Sequence, residues 1–318
     1  MFTSSYLFVG LIQVIGSPDA EQDPGFGYEE GDALSPQHWP EKYKSCAGKY
    51  QSPIDIEESF VTRVSLAGLK TTGFNTAPKT FNITNNGHTV MITFEAQKNI
   101  TLSGGPLQSP EYKFEQFHFH WGPNDHTGSE DLINNHSYPM ELHMVFYNSD
   151  FPSIKDAQGQ PDGLVVLAYF FEISQKDNPA YAPIVKSLPN IRTVKSTHSS
   201  NYTFTLASLL PANHDNYFSY VGSLTTPPCT EGVRWIDFKH PIQLSHTQLE
   251  EFRSIRSSAG FLTHNFRPVQ PLSNRPVWYN IGPAFSMESE QDKGSSNRNQ
   301  ISLVLLACSI LMVPIIRF

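Results

Sequence analysis

Runs of alternating apolar and polar residues dominate the middle of the chain. The clearest are HTVMITF at 88–94, KFEQFHFHW at 113–121 and MELHMVFY at 140–147. Such alternation, rich in β-branched and aromatic residues, predicts strands with one buried face. The unbroken apolar run GLVVLAYFFEI at 163–173 predicts a central strand that is buried on both faces.

One segment carries a clear helix pattern. In SHTQLEEFRSI, residues 245–255, Ser245 and Gln248 form a capping box ahead of Leu249 and Phe252. No linker-like change of composition interrupts the chain from about Asp32 to Pro283. We therefore predict a single α+β domain over residues 21–285, predominantly β, with short peripheral helices.

The composition is that of a folded protein with an acidic surface. The 318 residues are 39% hydrophobic and 16% charged, with a formal net charge of -8. This content can form a core, and the acidic balance argues against a nucleic-acid partner, which needs a basic face.

The N-terminal end resembles a targeting segment. The apolar run FTSSYLFVGLIQVIG at 2–16 is followed by SPDA. We interpret residues 1–20 as a secretory signal peptide, cleaved near Gly16 or Ala20. The alternative is a buried strand, because no Lys or Arg precedes the apolar run.

The C-terminal end has the pattern of a lipid-attachment signal. A polar spacer at 286–300 precedes the hydrophobic segment at 301–318, which begins ISLVLLACSILMVPII. This pattern predicts a GPI anchor and attachment to the membrane through lipid. The candidate attachment residues are Gly294, Ser295, Ser296 and Asn297. The alternative is a transmembrane anchor, for which the tail is short because a span needs about 20 residues.

Cysteines and glycosylation motifs fit export. If Cys308 leaves with the tail, Cys46 and Cys229 remain, and an even pair in an exported chain suggests a disulfide. Two separate buried thiols are the alternative. Four N-x-S/T motifs predict N-glycosylation sites, at Asn82, Asn99, Asn135 and Asn201.

The stretch EQFHFHWG at 115–122 contains the candidate chemistry. His118 and His120 are two apart on a strand, so they share one face, and the alternating aromatic residues Phe117, Phe119 and Trp121 face the core. The run MELHMVFY adds His143. Three neutral imidazoles leave a fourth tetrahedral position for water, which is the pattern of a catalytic zinc site. The alternative is that they are ordinary core histidines, because an H-x-H motif alone is weak.

A series of longer motifs gives these histidines a context. The motifs, in chain order, are QSPIDI (51–56), NNGH (85–88), QFHFHWG (116–122), GSE (128–130), ELHMVFYN (141–148), GSLTTPPC (222–229) and FRPVQPL (266–272). With these motifs, the chain from about His38 to Val277 resembles an α-class carbonic anhydrase, a family with a large twisted, mostly antiparallel sheet. Its cysteine pair and apolar tail resemble the extracellular, GPI-anchored branch, types IV and XV.

The resemblance implies a zinc enzyme that hydrates carbon dioxide reversibly. His118, His120 and His143 match its zinc ligands. Gln116 and Glu141 match the outer groups that hold ligand imidazoles.

The resemblance also assigns the catalytic groups around the metal. Thr225 and Glu130 match the pair that orients the attacking zinc-bound hydroxide, and His88 matches the proton shuttle. Tyr28 and Asn86 match polar residues on the water path. The residues that match the substrate-binding wall are Val145, Val166, Leu224, Thr225, Thr226 and Trp235.

Two positions depart from many members of the family. Met91 is apolar where a polar side chain is common, and Thr89 is bulkier than the usual residue. Both predict less efficient proton transfer. Two other functions remain open: a non-catalytic binding module on the same fold, and a zinc hydrolase of small esters.

Overall fold

The computed structural model describes residues 25–96, 99–109, 111–211 and 216–282. The predicted signal peptide, polar spacer, attachment residues and C-terminal apolar segment lie outside these ranges. The strands of the described residues are β1 (Asp55–Ile56), β2 (Thr62–Val64), β3 (Leu69–Thr72), β4 (Phe81–Asn85), β5 (Val90–Thr93), β6 (Thr101–Gly104), β7 (Tyr112–Trp121), β8 (Leu132–Ile133), β9 (Met140–Asn148), β10 (Leu164–Ser174), β11 (Ser196–Ser200), β12 (Tyr217–Ser223), β13 (Glu231–Ser245), β14 (Arg256–Ser257), β15 (Gly260–Phe261) and β16 (Trp278–Asn280).

The helices are short, as predicted. The α-helices are α1 (Trp39–Lys42), α2 (Ile154–Ala157), α3 (Ala182–Val185), α4 (Leu206–Leu209) and α5 (His246–Arg253), and 3₁₀ turns occupy Lys44–Ala47, Pro179–Tyr181 and Leu188–Ile191. The helix predicted at 245–255 is α5. Ser245 accepts a hydrogen bond from the backbone N–H of Gln248, whose side chain accepts one in return from the Ser245 N–H. None of the helices in the described ranges is long and apolar enough to cross a membrane.

A large twisted sheet organises the domain, which confirms the predicted α+β, mainly β fold. Its strand order is β11–β4–β5–β7–β9–β10–β13–β12–β16–β2, with β6 joining β7 to β3. Most neighbours are antiparallel, but β13 runs parallel to β10, and β2 parallel to β16. The apolar run at 163–173 becomes β10, which lies between β9 and β13. Its first eight residues are buried.

Each face of this sheet is covered by a separate group of apolar side chains. Phe117, Phe119 and Trp121 of β7 lie fully buried in the larger core. Val166 and Trp235 belong to the smaller core on the other side. Because β7 alternates between the two faces, its histidines point away from the larger core, as their spacing predicts.

A disulfide joins Cys46 to Cys229, which confirms the predicted pair and excludes two separate thiols. Their Cα atoms are 4.9 Å apart and their sequence separation is 183 residues. Both residues are buried. Cys46 lies in the first 3₁₀ turn, and Cys229 ends the turn that begins near Thr225, where its N–H donates to the Thr226 carbonyl. The bond therefore attaches the N-terminal segment to that turn.

We expect the double substitution Cys46→Ser/Cys229→Ser to lower the free energy of unfolding by up to about 5 kcal/mol, because a loop of this length is expensive to close. Urea unfolding of the zinc-loaded protein measures the change. Cys46→Ser alone should lose nearly as much, since either substitution removes the bond. Unfolding of the double variant at the wild-type urea concentration would contradict the prediction.

Candidate metal centre

Three histidines from two adjacent strands meet on one face of the sheet. His118 of β7 lies directly opposite His143 of β9, and His120 lies opposite Glu141. His120 and His143 are fully buried, whereas His118 is half-buried. One nitrogen from each of the three imidazoles lies within 4.8 Å of the others. The predicted ligand set is therefore brought together.

The second nitrogen of each ring is held by a hydrogen-bond acceptor. His118 Nδ1 donates to Gln116 Oε1 at 2.9 Å, and His143 Nε2 donates to Glu141 Oε1 at 2.7 Å. His120 Nδ1 donates to the backbone carbonyl of Asn265 at 2.7 Å. Because these acceptors fix the protons, His118 Nε2, His120 Nε2 and His143 Nδ1 carry the lone pairs that face one another.

Burial keeps the three rings neutral, which is the form that binds a metal. It lowers the pKa of His143 to about 3. It also lowers the pKa values of His118 and His120 well below 6.5, and charge on the neighbouring imidazoles acts in the same direction. A neutral imidazole is a metal ligand, whereas a protonated one is not.

The site contains buried polar atoms that a zinc ion would satisfy. Among the described residues, none hydrogen-bonds to His120 Nε2, which is fully buried. An unpaired buried nitrogen is costly, and a bond to zinc, at about 2.0–2.1 Å, would remove that cost. Three neutral nitrogens with oriented rings and a carboxylate beyond them fit zinc.

That carboxylate is Glu130, which lies fully buried behind the ligands. Its Oε2 is 3.4 Å from His120 Nε2 and 3.9 Å from His143 Nδ1, and its Oε1 accepts a hydrogen bond of 2.8 Å from the Arg267 N–H. Burial raises the pKa of Glu130, and the Thr225 side chain, acting as a hydrogen-bond donor, lowers it in part. The Oε2 atom makes no hydrogen bond of regular geometry within the described part of the chain. Thr225 and Glu130 are thus neighbours.

Glu141 connects a ligand to the loop that carries Glu130. Its Oε1 accepts from His143, while its Oε2 accepts from the backbone N–H groups of Glu130 and Asp131 at 2.8 and 3.0 Å. Burial raises its pKa to about 8, and the two N–H groups lower it in part. Glu141 therefore fixes both the ring of His143 and the position of Glu130.

An apolar surface flanks the histidines. Val145, Val166 and Trp235 are buried in the smaller core, and Leu224 packs against it. The Trp235 ring lies 4.8 Å from the His143 ring, edge to face, and its Nε1 donates to the Ser223 carbonyl. Thr225 is buried and Thr226 half-buried in the following turn. The predicted substrate wall is therefore adjacent to the metal ligands.

His88 occupies a tightly bonded turn. The Asn86 side-chain oxygen accepts from the N–H groups of both His88 and Thr89 at 2.9 Å, and Gly87 adopts a positive φ of 95°. The His88 ring stacks on Phe26 with centroids 3.8 Å apart. The structure thus gives Asn86 a place in the turn, and its role on a water path stays a prediction.

Tyr28 and Met91 lie close to the site. Tyr28 is buried, its hydroxyl has no hydrogen-bond partner among the described residues, and burial raises its pKa, with the charge of Glu130 adding to the shift. Met91 lies opposite His118 across β5 and β7 and is half-buried. An apolar side chain therefore lies beside a ligand, and its effect on proton transfer stays a prediction.

Two residues that bind the site together were absent from the predicted set. Asn265 accepts from His120 through its backbone carbonyl, and its Nδ2 donates to the carbonyls of His88 and Phe119 at 2.9 Å. Arg267 donates its backbone N–H to Glu130, and its guanidinium donates to the carbonyls of Ser52 and Cys46. The FRPVQPL motif that immediately follows Asn265 and contains Arg267 was the only available indication.

We expect Glu141→Gln to weaken zinc binding about 10- to 100-fold, because the neutral amide is a poorer acceptor for His143 and alters the bonds to the Glu130 loop. Competition with a fluorescent zinc chelator measures the affinity. Glu251→Gln, which removes a carboxylate from a partly exposed ion pair with Arg192, is the matched control. Equal affinity of the Glu141 variant and the control would contradict the prediction.

Comparison with known proteins agrees with this geometry. The family model described as eukaryotic-type carbonic anhydrase matches residues 34–281. Carbonic anhydrase 15 of Mus musculus is 36% identical over 292 residues, which are 87% of this chain and 88% of that protein. Carbonic anhydrase 6 of Homo sapiens is 38% identical over 260 residues, covering 80% of this chain and 82% of that protein. Carbonic anhydrase 7 of Homo sapiens is 38% identical over 261 residues, covering 80% and 96%. The chain therefore belongs to the eukaryotic-type carbonic anhydrases, zinc enzymes that hydrate carbon dioxide.

Proposed function

We propose that this enzyme hydrates carbon dioxide at the outer surface of the cell, with His88 as its proton shuttle and a GPI anchor as its membrane attachment. One observation carries the catalytic part: three neutral histidines, each oriented by an acceptor, converge beside an apolar wall. A purely structural metal site does not require an apolar surface beside its ligands, whereas a site that binds a nonpolar substrate does. The extracellular location and the shuttle role of His88 are supported by separate observations.

When bound, zinc supplies the Lewis acidity that lowers the pKa of a water molecule to about 7, a value known for this family rather than obtained from the structure. The chain's residues do the rest. Val145, Val166 and Trp235 offer a nonpolar substrate an apolar surface and give a charged product little to hold it. The ionised form of Glu130 would accept a hydrogen bond from the Thr225 hydroxyl, which would leave the Thr225 oxygen to accept a hydrogen bond in its turn.

A proton must leave the site in each turnover, and His88 is proposed to carry it. Histidine is the side chain whose ordinary pKa, about 6.5, allows it to take and release protons near neutrality. The backbone supports this role, because the His88 carbonyl and His120 Nδ1 bond to the same residue, Asn265. The His88 backbone is therefore connected to a metal ligand through one residue, Asn265, whose side-chain amide donates to His88 and whose backbone carbonyl accepts from His120.

The proposed location rests on the ends of the chain and on the folded domain between them. The apolar segments at 2–16 and 301–316 flank the domain. A disulfide, which forms in oxidising compartments, joins Cys46 to Cys229. The sequon residues Asn99, Asn135 and Asn201 are exposed, while Asn82 is half-buried on β4, and glycosylation at all of them remains a prediction. These features together support export.

We expect His88→Ala to lower kcat for carbon dioxide hydration at least about tenfold in dilute buffer, because proton release would then depend on water alone. Stopped-flow assays of the zinc-loaded protein measure kcat and kcat/KM. Added imidazole should restore the rate by replacing the missing ring.

The matched control is His198→Ala, on the edge strand β11, three strands away from β7 in the sheet. Fast turnover that is indifferent to His88→Ala would remove His88 from the proton path but leave the enzyme. Absence of turnover in the folded, zinc-loaded wild type would contradict the catalytic proposal and favour a binding module.

We expect a phosphatidylinositol-specific phospholipase to release the full-length protein from expressing cells, because a GPI anchor ends in a cleavable lipid. Surface immunostaining and activity in the medium measure the release. A chain truncated after residue 285 should appear in the medium without phospholipase treatment. Retention on the cells after treatment would contradict a GPI anchor and favour a transmembrane one.

A further inference from the structure

The hydroxyl of Thr89 hydrogen-bonds to backbone groups of β7 that a neighbouring strand would ordinarily pair with through its own backbone. Strand β5 pairs with β7 only through Met91–His118 and Ile92–Phe117. One step further, Thr89 Oγ1 donates to the Phe119 carbonyl at 2.5 Å and accepts from the Phe119 N–H at 3.3 Å. A single side chain therefore bonds both backbone groups of one residue on β7.

Phe119 is the residue that separates two of the metal ligands. His118 and His120 flank it on β7, so an attachment to its backbone is an attachment to the ligand strand. Thr89 is 9% exposed and both bonds to Phe119 are buried, where a hydrogen bond is electrostatically stronger than in water. Asn265 Nδ2 donates to the same Phe119 carbonyl.

The attachment lies next to the proposed shuttle. His88 immediately precedes Thr89, its N–H donates to Asn86, and its carbonyl accepts from Asn265. Its ring stacks on Phe26. Thr89 thus adds a direct link between this turn and the strand that holds the metal ligands, next to the Met91–His118 and Ile92–Phe117 pairs, while Asn265 supplies an indirect one.

We propose that Thr89 is a positioning residue for proton transfer: its hydroxyl fixes the His88 turn against the ligand strand β7. The proposal rests on the proposed shuttle role of His88. This role is the opposite of the one predicted from the size of the side chain. On size alone, Thr89 is expected to hinder proton transfer by His88. The hydroxyl is directed at the backbone of Phe119, so its removal should loosen the turn instead of freeing it.

Three substitutions separate the hydroxyl from the bulk of the side chain. Thr89→Val keeps the shape and removes the hydroxyl, Thr89→Ser keeps the hydroxyl, and Thr89→Ala removes both hydroxyl and bulk. The matched control is Thr84→Val, because the Thr84 hydroxyl also bonds across the sheet, to Thr197 at 2.9 Å between β4 and β11. Stopped-flow hydration of the zinc-loaded protein in dilute buffer gives kcat and kcat/KM for each variant.

We expect Thr89→Val and Thr89→Ala to lose at least about threefold in kcat while kcat/KM stays within about twofold of wild type. Added imidazole should restore kcat, and Thr89→Ser and Thr84→Val should match the wild type. In a His88→Ala background, Thr89→Val should cause no further loss, because the residue it positions is gone.

Several results would overturn the proposal. Thr89→Ala with a higher kcat than wild type would show that bulk dominates. A parallel loss of kcat and kcat/KM, or weaker zinc binding, would reduce Thr89 to a structural residue. If Thr89→Val fails to fold, the comparison of Thr89→Ser with Thr89→Ala decides. Wild-type rates in His88→Ala would instead refute the shuttle itself, and that outcome is read from a separate variant.

Discussion

The pairing of β7 with β9 is the contact on which the site depends. It sets His118 directly opposite His143 and places His120 one step along the same face. Because side chains alternate between faces with a period of two, a slip of one residue would turn both histidines of β7 into the larger core. The slip would also move Phe117 and Phe119, which are fully buried in the larger core, onto the face of the metal site. The hydrophobic cores on both faces therefore specify the register that the metal centre needs.

Each ligand ring has a hydrogen-bond acceptor for its second nitrogen, which lies two residues away on the same strand for His118 and His143 and 145 residues away for His120. The three ligand rings use an amide, a carboxylate and a backbone carbonyl, from Gln116, Glu141 and Asn265. Glu141 then also accepts two backbone N–H groups from the segment that carries Glu130. One carboxylate, that of Glu141, therefore fixes both the orientation of His143 and the position of Glu130.

The N-terminal segment is held over the site by several independent contacts. The disulfide fixes Cys46 beside the turn that contains Thr225. The Arg267 guanidinium lies over the Trp39 ring at 5.6 Å and donates to the Cys46 carbonyl. The rings of Phe26 and Tyr28 pack edge to face on Trp39, and Phe26 stacks on His88. The segment that contacts the proposed shuttle is thus attached to the same arginine whose backbone bonds to Glu130.

The three-histidine set was assigned through the resemblance of the whole chain to its family. Local patterns alone determined the four strands predicted at 88–94, 113–121, 140–147 and 163–173, their buried faces and the capped helix α5. These features are written in local periodicity and spacing, which depend on neighbours a few residues away. Only the tertiary structure decided that β13 runs parallel to β10, that the Asn265 carbonyl holds His120, and that the Thr89 hydroxyl bonds to Phe119. A backbone carbonyl belongs to every residue and a hydroxyl can bond in many directions, so neither leaves a pattern in the sequence. Their roles arise from long-range packing. It brings His120 within hydrogen-bond distance of Asn265, 145 positions along the chain, and Thr89 within that distance of Phe119, 30 positions along the chain.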